Sequence, residues 1–355
     1  MKPNLPILTG LGFFAAFYVF IFHIDLRLPL TVLGKTISYV IAQGAVGVNV
    51  FFILSGFILF YNYHDKKVNF VEFILKRLAK IYPVYLAGFV VCFLVVEFMH
   101  IKVDNFFEVM MMNLLLVQSY LPKFSMQWYG GGSWSISTEF FFYLCFPLLL
   151  NFILKLSKTQ IFIFLFLSFF CSVFTGILLN LKMIDFQLSY SFPPSRIWEF
   201  IIGMLTAALV VKHKVTINNL LILAVAIFSI YYYYYIGYKL LGYVIQNIIL
   251  VPLMITILIS VSTRKKHVLS FLGNRFFEYL GKVSYSFYIV QIPIMILLEK
   301  NIGFKIYNTS ITFSLIFFTN LLGAIILYHI IESPLHQFLN KKIKHIFVKK
   351  TTSLT

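Results

Sequence analysis

Residues 5–22 read LPILTGLGFFAAFYVFIF, a run without one charged side chain. A helix rises about 1.5 Å per residue, so about 20 such residues cross the roughly 30 Å of hydrocarbon in a bilayer. The run predicts a membrane span. Only Lys2 stands before it as a charge, and no small-x-small cleavage site comes after it, so it is expected to remain as a first span rather than leave as a signal peptide. Working outward, similar apolar runs predict spans near 6–24, 44–62, 84–100, 134–154, 160–180, 196–211, 217–235, 242–262, 284–299 and 311–331. Composition agrees: 60% of the chain is hydrophobic and 12% charged, far from the balance of soluble domains. The expected fold is all-α, a polytopic membrane protein of about ten transmembrane helices. It divides into a membrane domain over 1–335 and a basic tail over 336–355 that is solvated or lies on the inner leaflet. Val109–Leu121 is apolar but short, which suits a re-entrant or interfacial helix better than a span.

The net charge of +17 could suggest nucleic acid, but no loop offers a basic surface interleaved with aromatics, so nucleic acid is not an expected partner. The basic residues sit in short loops, where they set orientation and meet membrane lipids. With the N-terminus inside, the inward segments carry the dense clusters: Lys66, Lys67, Lys76, Arg77 and Lys80; Arg264, Lys265, Lys266, Arg275 and Lys282; and Lys341, Lys342, Lys344, Lys349 and Lys350. Outward segments hold scattered charges such as Arg27, Lys102, Lys182 and Lys300. This bias predicts both termini in the cytoplasm, with Tyr231–Tyr235 as an outer aromatic belt. Cys92, Cys145 and Cys171 lie in apolar runs without paired spacing or nearby histidines, so they read as buried filler and imply neither disulfide nor metal. No internal repeat is evident, which counts against a transporter built from two related halves.

Ionisable groups in such spans are costly, so those present carry information. His23 ends the first span and Glu139 lies a turn into the fourth, both at outer ends in this orientation. Arg196 and Glu199 are three apart and suited to pair. Glu332 and His329 close the tenth span. Arg77 and Lys80 share a helical face before Pro83.

The order of these blocks resembles the acyltransferase-3 family of integral membrane acyltransferases. Leu8-Thr9-Gly10-Leu11 with Phe13-Phe14-Ala15-Ala16 and His23 is similar to that family's first helix, and Gly47 to Phe57 to its second. Arg77 to Pro83 resembles its basic loop before the third. Ser133-Trp134-Ser135-Ile136-Ser137-Thr138-Glu139, with Phe142, Tyr143 and Pro147, resembles its most recognisable block. Arg196 to Gly203, Ser284 to Tyr288 with Pro293, and Glu332-Ser333-Pro334 continue the series. The resemblance implies transfer of an acyl group, acetyl above all, from acyl-coenzyme A to a sugar hydroxyl of an envelope polysaccharide such as lipopolysaccharide O-antigen or an exopolysaccharide. It implies a bacterial inner membrane, acetyl-CoA as donor, a polysaccharide or lipid-linked glycan as acceptor, and no bound cofactor. Arg77, Lys80 and neighbouring Lys76 would hold the donor's phosphates. His23 would take the hydroxyl proton or carry the acyl group, with Glu139 orienting its imidazole. Ser133, Trp134, Ser135, Arg196 and Glu199 would support them.

Three positions depart from the family pattern. Gly12 stands where an arginine is usual, eleven residues before His23; Lys80 replaces a second arginine; and Gln291 replaces a histidine before Pro293. Gly12 therefore raises a catalytically impaired member as an alternative. A glycolipid or metabolite transporter or flippase would equally suit the spans and basic loops, but not His23 and Glu139 on one face.

Overall fold

The structure is a computed structural model that describes residues 6–30, 35–125, 127, 132–235, 246–263, 268–303 and 309–352. Its long helices are α1 (Pro6–Asp25), α2 (Gly47–Tyr63), α3 (Phe70–Phe98), α4 (Trp134–Lys155), α5 (Lys158–Asn180) and α6 (Pro193–His213), followed by α7 (Asn219–Tyr235), α8 (Asn247–Thr263), α9 (Arg275–Ile302), α10 (Thr309–Leu327) and α11 (Ser333–Thr352). Among the described residues there are no strands. Among the described residues, eight helical stretches are long and apolar enough to cross a membrane, and Leu221–Ile230 and Asn247–Thr263 are shorter apolar helices. Each of the ten expected spans falls on one of α1 to α10. The protein is an all-α, multi-pass membrane protein.

Its surface is inverted relative to a soluble domain. Leu148 and Phe98 are 75% and 73% exposed, whereas Arg196 and Glu199 are 0% exposed. Lipid demands this arrangement, because outward polar groups there would lack partners. The buried centre is α6 packed against α2, with α4, α5 and α8 around them. Glycine makes the α2–α6 crossing possible. A Cβ at Gly56 would fall on the Phe200 carbonyl, and one at Gly203 on the Ile53 carbonyl, so the two backbones meet without side chains between them. A second group forms as α1 packs along α9 and α2.

One expectation changes. The third span begins at Phe70, not near residue 84, because Asn69 caps the helix by accepting from the Glu72 amide at 3.0 Å. Arg77 and Lys80 therefore lie within α3 rather than in a loop. Beyond Glu332, α11 runs through residues 335–336 and packs on α3. It joins α10 through a π-helical turn, Tyr328–Glu332. Residues 106–114 form a nine-residue helix, too short to span. Lys2, Lys239, Lys305 and the basic group Arg264–Lys266 lie outside the described residues, as do the side chains of Tyr231–Tyr235.

Candidate active site

A cavity of about 530 Å³ opens among α1, α2, α3, α4, α9 and α11. Arg77, Lys80, Glu332 and His336 line it from α3, the π turn and α11; Ser55, Ser135, Glu139, Tyr143, Tyr285 and Tyr288 line the remainder. Gly12 faces it from α1. The π turn matters here, since one extra residue in a turn rotates the helix beyond it onto a new face. It sets Glu332 and His336, four apart, toward the same space.

Arg77 and Lys80 are brought together as the spacing predicts, but on a helix. The Arg77 guanidinium lies over the rings of Phe73, Tyr63 and Tyr143 at 5.5, 5.9 and 6.0 Å, and its buried Nε has no hydrogen-bond partner. Such rings hold a cation while leaving its donors available. Lys80 is exposed to the cavity, with Glu139 and Glu332 near enough to interact with its charge. Lys76 is not part of this group: its Nζ pairs with Glu72 Oε1 at 2.5 Å, one turn back on α3.

Glu139 and His23 are not brought together. Glu139 Oε1 accepts from Ser55 Oγ at 3.0 Å and from Tyr143 OH at 2.6 Å, one turn on along α4. Its carboxylate faces the cavity with Lys80. His23 lies outside that cavity, buried between α1 and α9, with Gln291 and Arg27 as its polar neighbours. Gly12, Ala16, Val19 and His23 form one stripe of α1; the cavity touches Gly12, and Ala16 and Val19 are buried beyond it. On α9, Tyr288 stands between the cavity and Gln291, its hydroxyl 2.7 Å from Ser135 Oγ and donating to the Gly132 carbonyl at 3.0 Å. Counting from the helix ends placed both ionisable groups at one end. In the fold the cavity holding Glu139 meets α1 at Gly12, eleven residues before His23.

The block beginning at Ser133 is a buried polar frame. Ser133 Oγ donates to Asn113 Oδ1 at 2.9 Å, and Gln118 Nε2 donates to the Ser133 carbonyl at 2.9 Å. Ser137 Oγ donates to the Leu116 carbonyl at 2.6 Å. These bonds seat the short 106–114 helix and the turn after it against the start of α4. Trp134, 1% exposed, packs edge-on to Phe52 and beside Tyr190. Arg196 lies over Phe52, Trp134 and Tyr190 and pairs with Glu199 at 3.0 Å. The expected Arg196–Glu199 pair is present, and it lies in the protein centre.

An acyltransferase domain family matches residues 7–329, nearly the whole described membrane region. The chain belongs to this acyltransferase family. It is also similar to acyltransferase MdmB of Streptomyces mycarofaciens, 36% identical over 151 residues, which are 41% of this chain and 39% of that protein. The chain thus matches about two fifths of that relative's length. No solved structure matches the chain.

For an acyltransferase of this family, sequence reasoning gave no site role to several cavity residues, Tyr143, His336 and Ser55 among them. Tyr143 carries a readable signal, four residues after Glu139 on one helical face. His336 stands four after Glu332, but only the π turn and continuous α11 bring it to the cavity. Ser55 gives no local signal, since its bond to Glu139 joins residues 84 apart.

Proposed function

We propose that this protein transfers an acyl group, acetyl in the first instance, from acyl-coenzyme A to a hydroxyl of an envelope polysaccharide or its lipid-linked precursor, in a bacterial inner membrane. The observation that carries this is the cavity holding Arg77 and Lys80 within the membrane domain of an acyltransferase family member. In the orientation with the N-terminus inside, these cations lie toward the cytoplasm, where acyl-coenzyme A is made. Arg77, held by aromatic rings with Nε unpartnered, and the exposed Lys80 suit phosphate oxygens. Lys76, already paired, would add general positive charge only. The hydroxyls of Ser55, Tyr143 and Tyr285 give the deeper cavity a polar lining for the thioester end.

In this reading the acceptor hydroxyl gives its proton to the His23 imidazole while its oxygen bonds to the thioester carbon. The carbon–sulfur bond breaks, and the departing coenzyme A sulfur takes the proton back. Glu139 acts from the donor side, beside Lys80, rather than by orienting His23. On this reading the thioester would reach His23 past Ser135 and Tyr288, which line the cavity. Gly12 removes a cation from α1, but Arg77 and Lys80 supply positive charge to the same cavity, which favours an active member over an impaired one.

The test is the envelope glycan itself. Cells with the gene should carry a base-labile acetyl increment on the glycan that deletion removes, and membranes should move label from acetyl-CoA into it. His23→Ala should abolish that transfer at near-normal membrane abundance. An unchanged glycan mass on deletion, with no label transferred, would overturn the reading.

A further inference from the structure

His23 and Gln291 share an unusual property. Gln291 is 0% exposed, yet neither its Nε2 nor its Oε1 meets a partner at full hydrogen-bond geometry, and His23, whose Nδ1 is likewise unmet, is the polar side chain that it faces. Buried polar atoms are nearly always paired, because an unpaired one forfeits its hydrogen bonds to water. Even with His23 and Gln291 turned to each other, one polar atom of the amide stays unmet among apolar Phe22, Ile24, Ile292 and Met295, which packing does not explain. Leucine or methionine would fill that volume without the penalty.

Position gives the pair its meaning. Helices α1 and α9 run parallel: Gly12 lies beside Ser284, and nearer their far ends Arg27 Nε pairs with Glu299 Oε2 at 3.4 Å. His23 and Gln291 sit between these levels, beyond Tyr288 and beneath the Arg27–Glu299 pair. Arg27 also donates to the His23 carbonyl at 3.4 Å. The site is thus separated from the Arg77–Lys80 cavity by one tyrosine and from the opposite surface by a partly exposed ion pair.

We propose that Gln291 and His23 together form the subsite for the acceptor hydroxyl, with Gln291 as the positioning residue for the sugar. The inference rests on the acyl-transfer reading. A primary amide both donates and accepts, as a sugar hydroxyl does. One face of Gln291 holds a ring hydroxyl or its neighbour, and the reacting hydroxyl then lies toward His23. The amide takes no proton and forms no covalent bond. The acceptor class is a neutral, hydroxyl-rich glycan: of the charges nearest His23 on these helices, Arg27 and Glu299 pair with each other and Asp25 accepts from the Leu30 amide at 2.8 Å.

The experiment uses the full-length protein in membrane vesicles from cells that make the glycan, with radiolabelled acetyl-CoA as donor probe. Gln291→Met matches the side chain's length without its polar atoms, and Gln291→His restores polarity. Transfer by Gln291→Met should fall about tenfold to a hundredfold, the cost of a mispositioned reactant. Its KM for acetyl-CoA should stay unchanged, its thermal stability should equal or exceed wild type, and Gln291→His should retain more transfer. Wild-type transfer by Gln291→Met, a raised donor KM, or a loss that only tracks the amount of folded protein would overturn the proposal while leaving acyl transfer intact. Absence of label transfer by the wild-type protein would instead overturn acyl transfer, and this subsite with it.

Discussion

Replacing Arg196 by methionine should be among the most damaging single changes outside the cavity. Arg196 and Glu199 are both 0% exposed. The guanidinium donates from Nε to Glu199 Oε1 at 3.0 Å, from Nη1 to the Tyr190 carbonyl at 2.5 Å and from Nη2 to Asn49 Oδ1 at 2.6 Å. Glu199 Oε1 also accepts from Asn247 Nδ2 at 2.9 Å, while Oε2 has no partner. Were these ordinary interhelical hydrogen bonds, each would contribute about 0.6 kcal/mol and the three together about 2 kcal/mol. The charge changes that sum. Arg196→Met leaves a buried carboxylate with one neutral donor, and breaking such a pair costs about 3–5 kcal/mol. Removing both charges in Arg196→Met/Glu199→Met should recover most of the loss, because no ion is then stranded. Reversible unfolding in mixed micelles, titrated with SDS and monitored by helical circular dichroism, measures these two variants and Glu199→Met alone. A single-variant cost below about 1 kcal/mol, or a double variant as unstable as the two losses added, would refute the argument.

Gly56→Ala should destabilise by about 1–3 kcal/mol, since the new methyl meets backbone of α6. Gly12→Ala should be neutral or stabilise by up to about 1 kcal/mol, because its nearest neighbours would be Ser284 Oγ at 3.9 Å and Phe51 Cε1 at 4.0 Å; the same titration compares them. Glu139→Gln keeps the side-chain shape but removes the charge beside Lys80, so label transfer from acetyl-CoA should drop about a hundredfold at normal membrane abundance, and wild-type transfer would remove Glu139 from the mechanism. Reporters placed between Tyr63 and Phe70 and after Lys350 should be cytoplasmic, and one at Lys123 external; the loop reporter and the Lys123 reporter on the same side would mean that the span count is wrong.

The spans were legible because lipid imposes a one-dimensional signal. A helix that must hide every backbone polar group inside itself shows as an apolar run, and each expected run from 6–24 to 311–331 lies on a helix. The misplaced start of α3 has the same origin. Lys76, Arg77 and Lys80 lower the hydropathy of residues 70–83, so the stretch reads as a loop. In the fold, Arg77 and Lys80 face a cavity rather than lipid, and Lys76 is neutralised by Glu72. Charge along a sequence reports cost, not the direction in which a helix turns it.

That distinction explains His23 and Glu139. Counting residues from a helix end gives depth at about 1.5 Å per residue, and on that count the two groups are near neighbours. In the fold they are not: the cavity that holds Glu139 meets α1 at Gly12, eleven residues or roughly 16 Å short of His23, because both the offset between helices and the face each one turns come from packing between distant segments. His23 faces α9 because α1 and α9 lie side by side from Gly12 and Ser284 to Arg27 and Glu299. Glu139 faces Ser55 on α2, and α2 is held in place by its close crossing with α6 at Gly56 and Gly203. Neither relation appears within a window of either residue. A pair of ionisable groups counted to one membrane depth is thus grounds for seeking a site. The partners must be sought one helix face at a time, and that search leads from His23 to Gln291 rather than to the carboxylate.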